Sequence, residues 1–275
     1  MTDSGGELGP MLRYWRQVRG KSQIELSLDT GVSQRHLSFI ESGRSAPGRQ
    51  TLINIAQSLE VPLRDRNRLL LAAGFAPLYS EEAWNAGDMH GVTRALERVL
   101  RQHDPYPAVV MDRYWNVLIA NESAPRFFNT FIDLGKRPKP RNILHLMFDP
   151  AGMRPFIVNW PSASRGLIER IHREAVGHFM DAKTKDLLAA LLAYPDADRK
   201  AEVTDSAAAA PTLPVIPLSF MKDGRVLNYF SMVSTVGTPQ TIAAQELRVE
   251  CMFPLDEMTE QYHRELMAAA KSPDE

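Results

Sequence analysis

Three side chains in one short stretch have the types and spacing to read a nucleic-acid duplex. Gln34, Arg35 and Ser38 fall on one side of a helical stretch, and Arg44 and Arg49 follow in a loop. In the major groove an Arg forks onto a guanine edge and a Gln onto an adenine edge. Loop guanidiniums suit phosphates, which position a domain without reading sequence. Other chemistry is thin. His172 and His178 are six apart, not the i, i+4 pair of a helical metal site, and His103 and His145 are isolated. The lone Cys251 excludes an internal disulfide and a cysteine-based zinc site. No Gly-rich phosphate loop and no Gly-x-Ser-x-Gly elbow is present, so no enzyme, catalytic residue, metal or certain cofactor is expected.

The donors need a short helix, a sharp corner before it and neighbours to brace it. The sequence supplies them. Apolar residues at 8, 11, 12, 15 and 18 make a helical stripe ended by Gly20. Ser22 caps a second helix, with Glu25 as the capping-box partner, and Gly31 permits the turn. Ser27 is a small residue suited to a close helix crossing. Ser33 caps a third helix, Gln34 to Glu41, whose inward side carries Leu37 and Ile40. A fourth helix near Gln50–Leu59 has its stripe at Leu52, Ile55, Ala56 and Leu59, and a fifth runs from about Leu63 to Ala73.

The texture changes beyond Pro77. A helix near Gly91–Gln102 leads to strands over Ala108–Met111 and Val117–Ala120, and Asn121 caps the next helix. Lys136-Arg-Pro-Lys-Pro140 reads as a stiff basic linker. Helices are predicted near Ile143–Met147, Met153–Asn159, Ser164–Phe179 and Lys185–Ala193, then a mobile loop over Ala197–Pro214. Lys222-Asp-Gly224 marks a hairpin between Val215–Met221 and Val226–Ser234. A third strand is predicted over Gln245–Phe253, with Glu246 and Glu250 sharing one face toward solvent or a partner, and a helix over Asp256–Ala270.

The chain has 275 residues and a net charge of −1. Residues 1–78 hold ten Lys/Arg against seven Asp/Glu, while the rest hold 22 against 26. A small basic module joined to a larger acidic one fits a nucleic-acid reader attached to something else. No apolar run reaches the roughly 20 residues of a membrane helix, and no signal-peptide pattern opens the sequence. A cytoplasmic protein with no membrane partner is expected.

Gln23, Gly31, Ser33, Glu41 and Gly43 occur together in register. On these residues the chain resembles the Xre / lambda-repressor-like helix-turn-helix family, over roughly residues 8–75. The resemblance implies that Gln23 binds a phosphate and braces the recognition helix. It implies that Gln34, Arg35 and Ser38 meet the bases, that Ser33 at the cap is a further DNA contact, and that Arg16 and Glu41 form an ion pair joining the first and third helices. Phe39 departs from the family, which often has a polar residue there. It has two readings, contact with a thymine methyl or packing under the fifth helix, and a buried Phe is the more usual state.

Further strings resemble the MmyB-like transcription regulators. They include Leu69-Leu-Leu-Ala-Ala-Gly-Phe-Ala-Pro77, Pro105-Tyr-Pro-Ala-Val-Val-Met-Asp-Arg-Tyr-Trp-Asn116, Asn142-Ile-Leu-His-Leu-Met-Phe148, Arg154-Pro-Phe-Ile-Val-Asn-Trp160 and Gly237-Thr-Pro-Gln240. The resemblance implies a multi-domain chain. An all-α lambda-repressor-like helix-turn-helix domain (1–78) precedes an α/β PAS-like domain with an antiparallel sheet (79–275), for which a fatty-acid-like ligand is implied. The residues themselves leave that ligand open. Met111, Phe127, Phe131, Met147, Trp160 and Phe230 suit an acyl-chain wall and equally suit ordinary core. Arg154, Arg165, His145 and Arg170 are candidates to hold a carboxylate, with Arg154 the favoured one. The function expected is a sequence-specific transcription regulator that binds a double-stranded DNA operator as a homodimer and senses a small apolar ligand. The alternative is the same reader on a ligand-free dimerisation scaffold.

Overall fold

A computed structural model of the chain describes residues 5–176, 181–197 and 215–269. Most of the predicted loop over Ala197–Pro214, with His178 and Phe179, lies outside the described residues. The chain divides into two units. The first holds residues up to Ala83 together with Arg173–Asp181 and Thr238–Gln245, and the second holds the rest.

In the first unit the helices are α1 (Gly5–Val18), α2 (Gln23–Thr30), α3 (Gln34–Glu41), α4 (Arg49–Ser58) and α5 (Leu63–Ala72). Their apolar stripes meet in one core that includes Leu12, Trp15, Leu26, Ile40, Ile55 and Leu69. The capping box of α2 is complete. Ser22 Oγ accepts from the Glu25 N–H at 3.1 Å and Glu25 accepts from the Ser22 N–H at 2.7 Å. Gly31 turns the chain at φ 70°, a left-handed conformation that costs a glycine little. A close helix approach falls at Gly9 on α1. A Cβ on Gly9 would collide with the backbone carbonyl of Glu41. Helix α5 has no side-chain cap of its own. The side-chain oxygen of Gln245 accepts from the Leu63 N–H at 2.7 Å, and Ser80 O accepts from the Ile242 N–H at 3.1 Å. Residues 238–245 are thus built into this unit, with Ile242 buried.

The second unit is an α/β layer structure. Strands β1 (Ala108–Met111), β2 (Val117–Ala120), β3 (Leu218–Lys222), β4 (Arg225–Ser234) and β5 (Arg248–Pro254) form one antiparallel sheet in the order β2-β1-β5-β4-β3. Helices α6 (His90–Gln102), α7 (Ser123–Asn129), α8 (Ile143–Phe148), α9 (Trp160–Val176), α10 (Ala182–Leu192) and α12 (Glu257–Ala269) surround it, and α11 (Ile242–Glu246) precedes β5. Asn121 organises the start. Its carbonyl oxygen accepts from the Ala108 and Ala124 N–H groups, both at 3.0 Å, while its amide donates to Asp104 Oδ1 at 2.9 Å. One side chain thereby ties β1, α7 and the loop after α6.

Three expectations are corrected. Only Arg154–Phe156 of the predicted 153–159 helix forms a helical turn. Ile157 then bridges to Phe220, so pairing with the sheet ends the helix. The strand expected from Val215 begins at Leu218, because Pro217 has no N–H for a ladder. The strand expected from Gln245 begins at Arg248, after a helical turn. Consequently Glu246 and Glu250 do not meet solvent as a pair. Glu246 bonds Arg113 at 3.1 Å and Glu250 bonds Arg170 through both oxygens at 3.1 and 3.2 Å.

Candidate nucleic-acid interface and ligand cavity

Helix α3 is held from behind by a buried charge cluster. Arg16 on α1 donates from Nε and Nη2 to the two oxygens of Glu41, at 2.7 and 2.9 Å, and Gln23 Nε2 donates to the same carboxylate at 2.9 Å. The Glu41 side chain is 3% exposed and that of Arg16 14%. Burial pushes the Glu41 carboxyl up. The hydrogen bonds from Arg16 and Gln23, with the charges of Arg16 and Arg13, outweigh it and hold the group below its ordinary range. The cluster joins α1, α2 and the last residue of α3, and so fixes the angle at which α3 leaves the turn.

The opposite side of α3 is open. Ser33 caps the helix, accepting from the His36 N–H at 3.2 Å. Gln34 and Arg35 are exposed, Ser38 is half-buried, and Arg44 and Arg49 are exposed in the segment that follows. Among the described residues none of the three arginines has a carboxylate partner. Gln23 differs from the exposed set, since its amide already serves Glu41. Phe39 is half-buried and is not among the side chains packed against the unit's core.

In the second unit, a cavity of about 600 Å³ opens beside the edge strand β2. Val117 and Ile119 on β2, Phe128 on α7, and Leu134 and Ile143 form an apolar wall, and Trp84 closes one side. The basic segment predicted as a stiff linker runs along it and contributes Lys139 and Pro140. Arg141 follows. Its Nη2 donates to Leu134 O at 2.9 Å, while its buried Nε has no hydrogen-bond partner among the described residues. Among the described residues no acidic side chain lines the cavity. A largely apolar volume with two cationic side chains, Lys139 and Arg141, in its lining can take a chain-like ligand with an anionic head.

None of the seven side chains expected to bind ligand lines this cavity. Met111, Phe127, Met147 and Trp160 are core, and Phe131 packs against that core. Phe230 stacks on Phe253 with centroids 5.5 Å apart. Arg154 lies over the Trp160 ring at 4.6 Å, with Asp196 3.7 Å away. The other head-group candidates are also elsewhere. Arg170 pairs with Glu250, His145 Nδ1 lies 3.1 Å from the Tyr194 hydroxyl, and Arg165 is exposed. Composition alone could not separate wall from core.

Comparison with known proteins adds the family. A helix-turn-helix family model matches residues 12–65. A model described as the MmyB-like transcription regulator ligand binding domain matches residues 92–266. The uncharacterized HTH-type transcriptional regulator y4dL of Sinorhizobium fredii (strain NBRC 101917 / NGR234) is 33% identical over 95 residues, which is 34% of this chain. The match spans about half of that relative, 48% of its length. Among the described residues no helix is long and apolar enough to cross a membrane. With a helix-turn-helix model on the first unit and the ligand-domain model covering more than half of the sequence, this chain belongs to the MmyB-like transcription regulators, a family of regulators and not of enzymes.

Proposed function

We propose that the chain is a one-component regulator, in which α3 reads operator DNA and the cavity beside β2 binds a small amphiphile. The observation that carries the first half is the open side of α3. Gln34 and Arg35 project from its first turn with no competing ion pair, on a helix braced by Arg16, Glu41 and Gln23. Arg35 takes a guanine edge, Gln34 an adenine edge and Ser38 a neighbouring base, while Ser33, Arg44 and Arg49 meet phosphates. One amide hydrogen of Gln23 goes to Glu41 and the second remains for a phosphate. A single short helix reads few base pairs, so two copies on a two-fold site are the natural working form, and the cytoplasm is where such a site is met.

Selection from random duplexes, followed by a salt titration, tests this half. The expected outcome is a palindromic site and a steep salt dependence. Arg35→Ala should relax preference at one base step by about 1–3 kcal/mol. Arg44→Ala and Arg49→Ala should weaken all duplexes alike and each lower the salt slope by roughly one. Loss of selectivity in none of these variants would refute the assignment.

The second half rests on Arg141, a buried guanidinium nitrogen unpaired beside an apolar cavity. We read the five-strand order as PAS-like and the ligand as fatty-acid-like, with its carboxylate at Arg141 and its chain between β2 and α7. A ligand that favours one arrangement of the protein shifts operator affinity by its differential binding. Dodecanoate titrated by calorimetry should bind, and Arg141→Ala should weaken it by about 1.5–3 kcal/mol, the value of a charge-assisted hydrogen bond. Dodecanol, which lacks the charge, should not distinguish the two proteins. Equal dodecanoate affinity would remove Arg141 from the site. Native mass spectrometry showing no retained small molecule, with no dodecanoate binding, would favour the ligand-free dimerisation scaffold.

A further inference from the structure

Phe39 is a large apolar side chain on α3 that takes no part in the brace of Arg16, Gln23 and Glu41. It lies one turn beyond Arg35, at i, i+4, where helix side chains are neighbours. Its backbone is pinned. The Phe39 carbonyl accepts from the Arg44 N–H at 2.8 Å, the Ser45 N–H at 3.2 Å and the Ser42 hydroxyl at 3.2 Å. Its ring is left out of the apolar core. Two guanidiniums flank it instead, Arg35 at 5.4 Å and Arg44 at 6.0 Å from the ring centroid.

That arrangement is a poor design for a core and a good one for a polyanion. The π-face attracts a cation and narrows the rotamers a free arginine samples. Arg35 therefore meets a base already oriented, with less freedom to lose on binding. The part of the ring not covered by guanidinium stays apolar and half-exposed beside the first-turn donors. In a major groove the apolar group within reach of such a surface is the thymine 5-methyl.

We propose that Phe39 is a specificity-determining residue, whose ring positions the Arg35 guanidinium and whose free edge reads the methyl of a thymine next to that guanine. The inference rests on the reading of α3 as the base-contacting helix. It adds to that reading a contact made without any hydrogen bond, and a guanine–thymine step as the unit recognised.

The test uses the full chain and its selected operator, with each thymine replaced in turn by uracil. This change deletes the methyl and leaves every hydrogen-bonding edge intact. Wild type should lose affinity about fourfold at one thymine per half-site, the value of one buried methyl. Phe39→Ala should abolish that thymine–uracil difference and also relax the preference for the adjoining guanine. Phe39→Leu should keep the methyl discrimination, because it is apolar, and relax the guanine preference, because it has no π-face. A role in folding alone would lower affinity for all duplexes and leave both preferences unchanged. A selected operator on which every uracil replacement is silent would overturn the inference and leave the DNA-reading assignment standing. No selected operator at all would overturn both. The uracil scan on wild type needs no variant, so a variant that fails to fold does not remove the test.

Discussion

Two buried titratable groups, Glu41 in the helical unit and His263 in the sheet unit, are accommodated in opposite ways. In the helical unit Glu41 is kept charged, and three donors from Arg16 and Gln23 surround it. In the sheet unit His263 is fully buried and kept neutral. Its Nε2 lies 2.8 Å from the Pro105 carbonyl, which can only accept, so that nitrogen carries the proton. Its Nδ1 then accepts from the Tyr229 hydroxyl at 2.7 Å. Burial pushes the His263 pKa down, with a smaller contribution from the charge of His103. The contrast shows two solutions to one problem. A charge survives burial where a counter-charge lies beside it, and a titratable ring survives by giving up its charge.

The sharpest way to break this comparison is to strip the charged cluster. Glu41→Ala leaves Arg16 buried without its carboxylate and should cost about 3–5 kcal/mol, read as a lowered urea midpoint. A loss below 1 kcal/mol would mean the cluster is solvated in solution. Next in size is the neutral pair. Tyr229→Phe keeps the ring and orphans His263 Nδ1, and should cost about 1–3 kcal/mol by the same measurement. Full stability would show that water or another group satisfies the imidazole.

Acid separates the two units without mutation. The folded pKa of His263 lies below its unfolded value, so the unfolded chain binds more protons and stability falls as pH drops below about 6.5, by at most about 1.4 kcal/mol per pH unit for this group. His145, also pushed down by burial, acts in the same direction. The Glu41 contribution is complete above its unfolded value of about 4.3 and is lost only as pH falls further. Amide exchange at pH 7 and pH 5, corrected for intrinsic rates, should show protection lost in the sheet unit and kept in the helical one. Equal loss in both would contradict the contrast. The smallest expected effect is local to α2. Ser22→Ala removes one half of the capping box and should cost about 1 kcal/mol, confined to that helix.

Legibility follows the same line. The brace around α3 joins residues 18 and 25 positions apart, within one run of capped helices. Caps, glycine turns and stripes are local signals, and they place Gln34, Arg35 and Ser38 on the open side before any contact is known. The His263 carbonyl bond spans 158 positions and the Arg113–Glu246 pair 133. No local pattern records such pairings. The exposed side of α3 was therefore readable from residue types, whereas nothing local showed that side chains such as Phe127 and Met111 lie in the core and not along the cavity beside β2.

Sequence alone determined the helical unit, the exposed side of α3, the hairpin and the α/β character of the remainder, because caps, periodicity and turn residues act within a few positions. Tertiary structure decided that Phe39 stays out of the core, that Gln245 caps α5, and that Arg141 Nε has no hydrogen-bond partner among the described residues. Whether an aromatic is wall or core, and whether a cation is paired, depends on which distant segment arrives beside it. That is settled by packing across the whole chain, not by the residue's own neighbours in sequence.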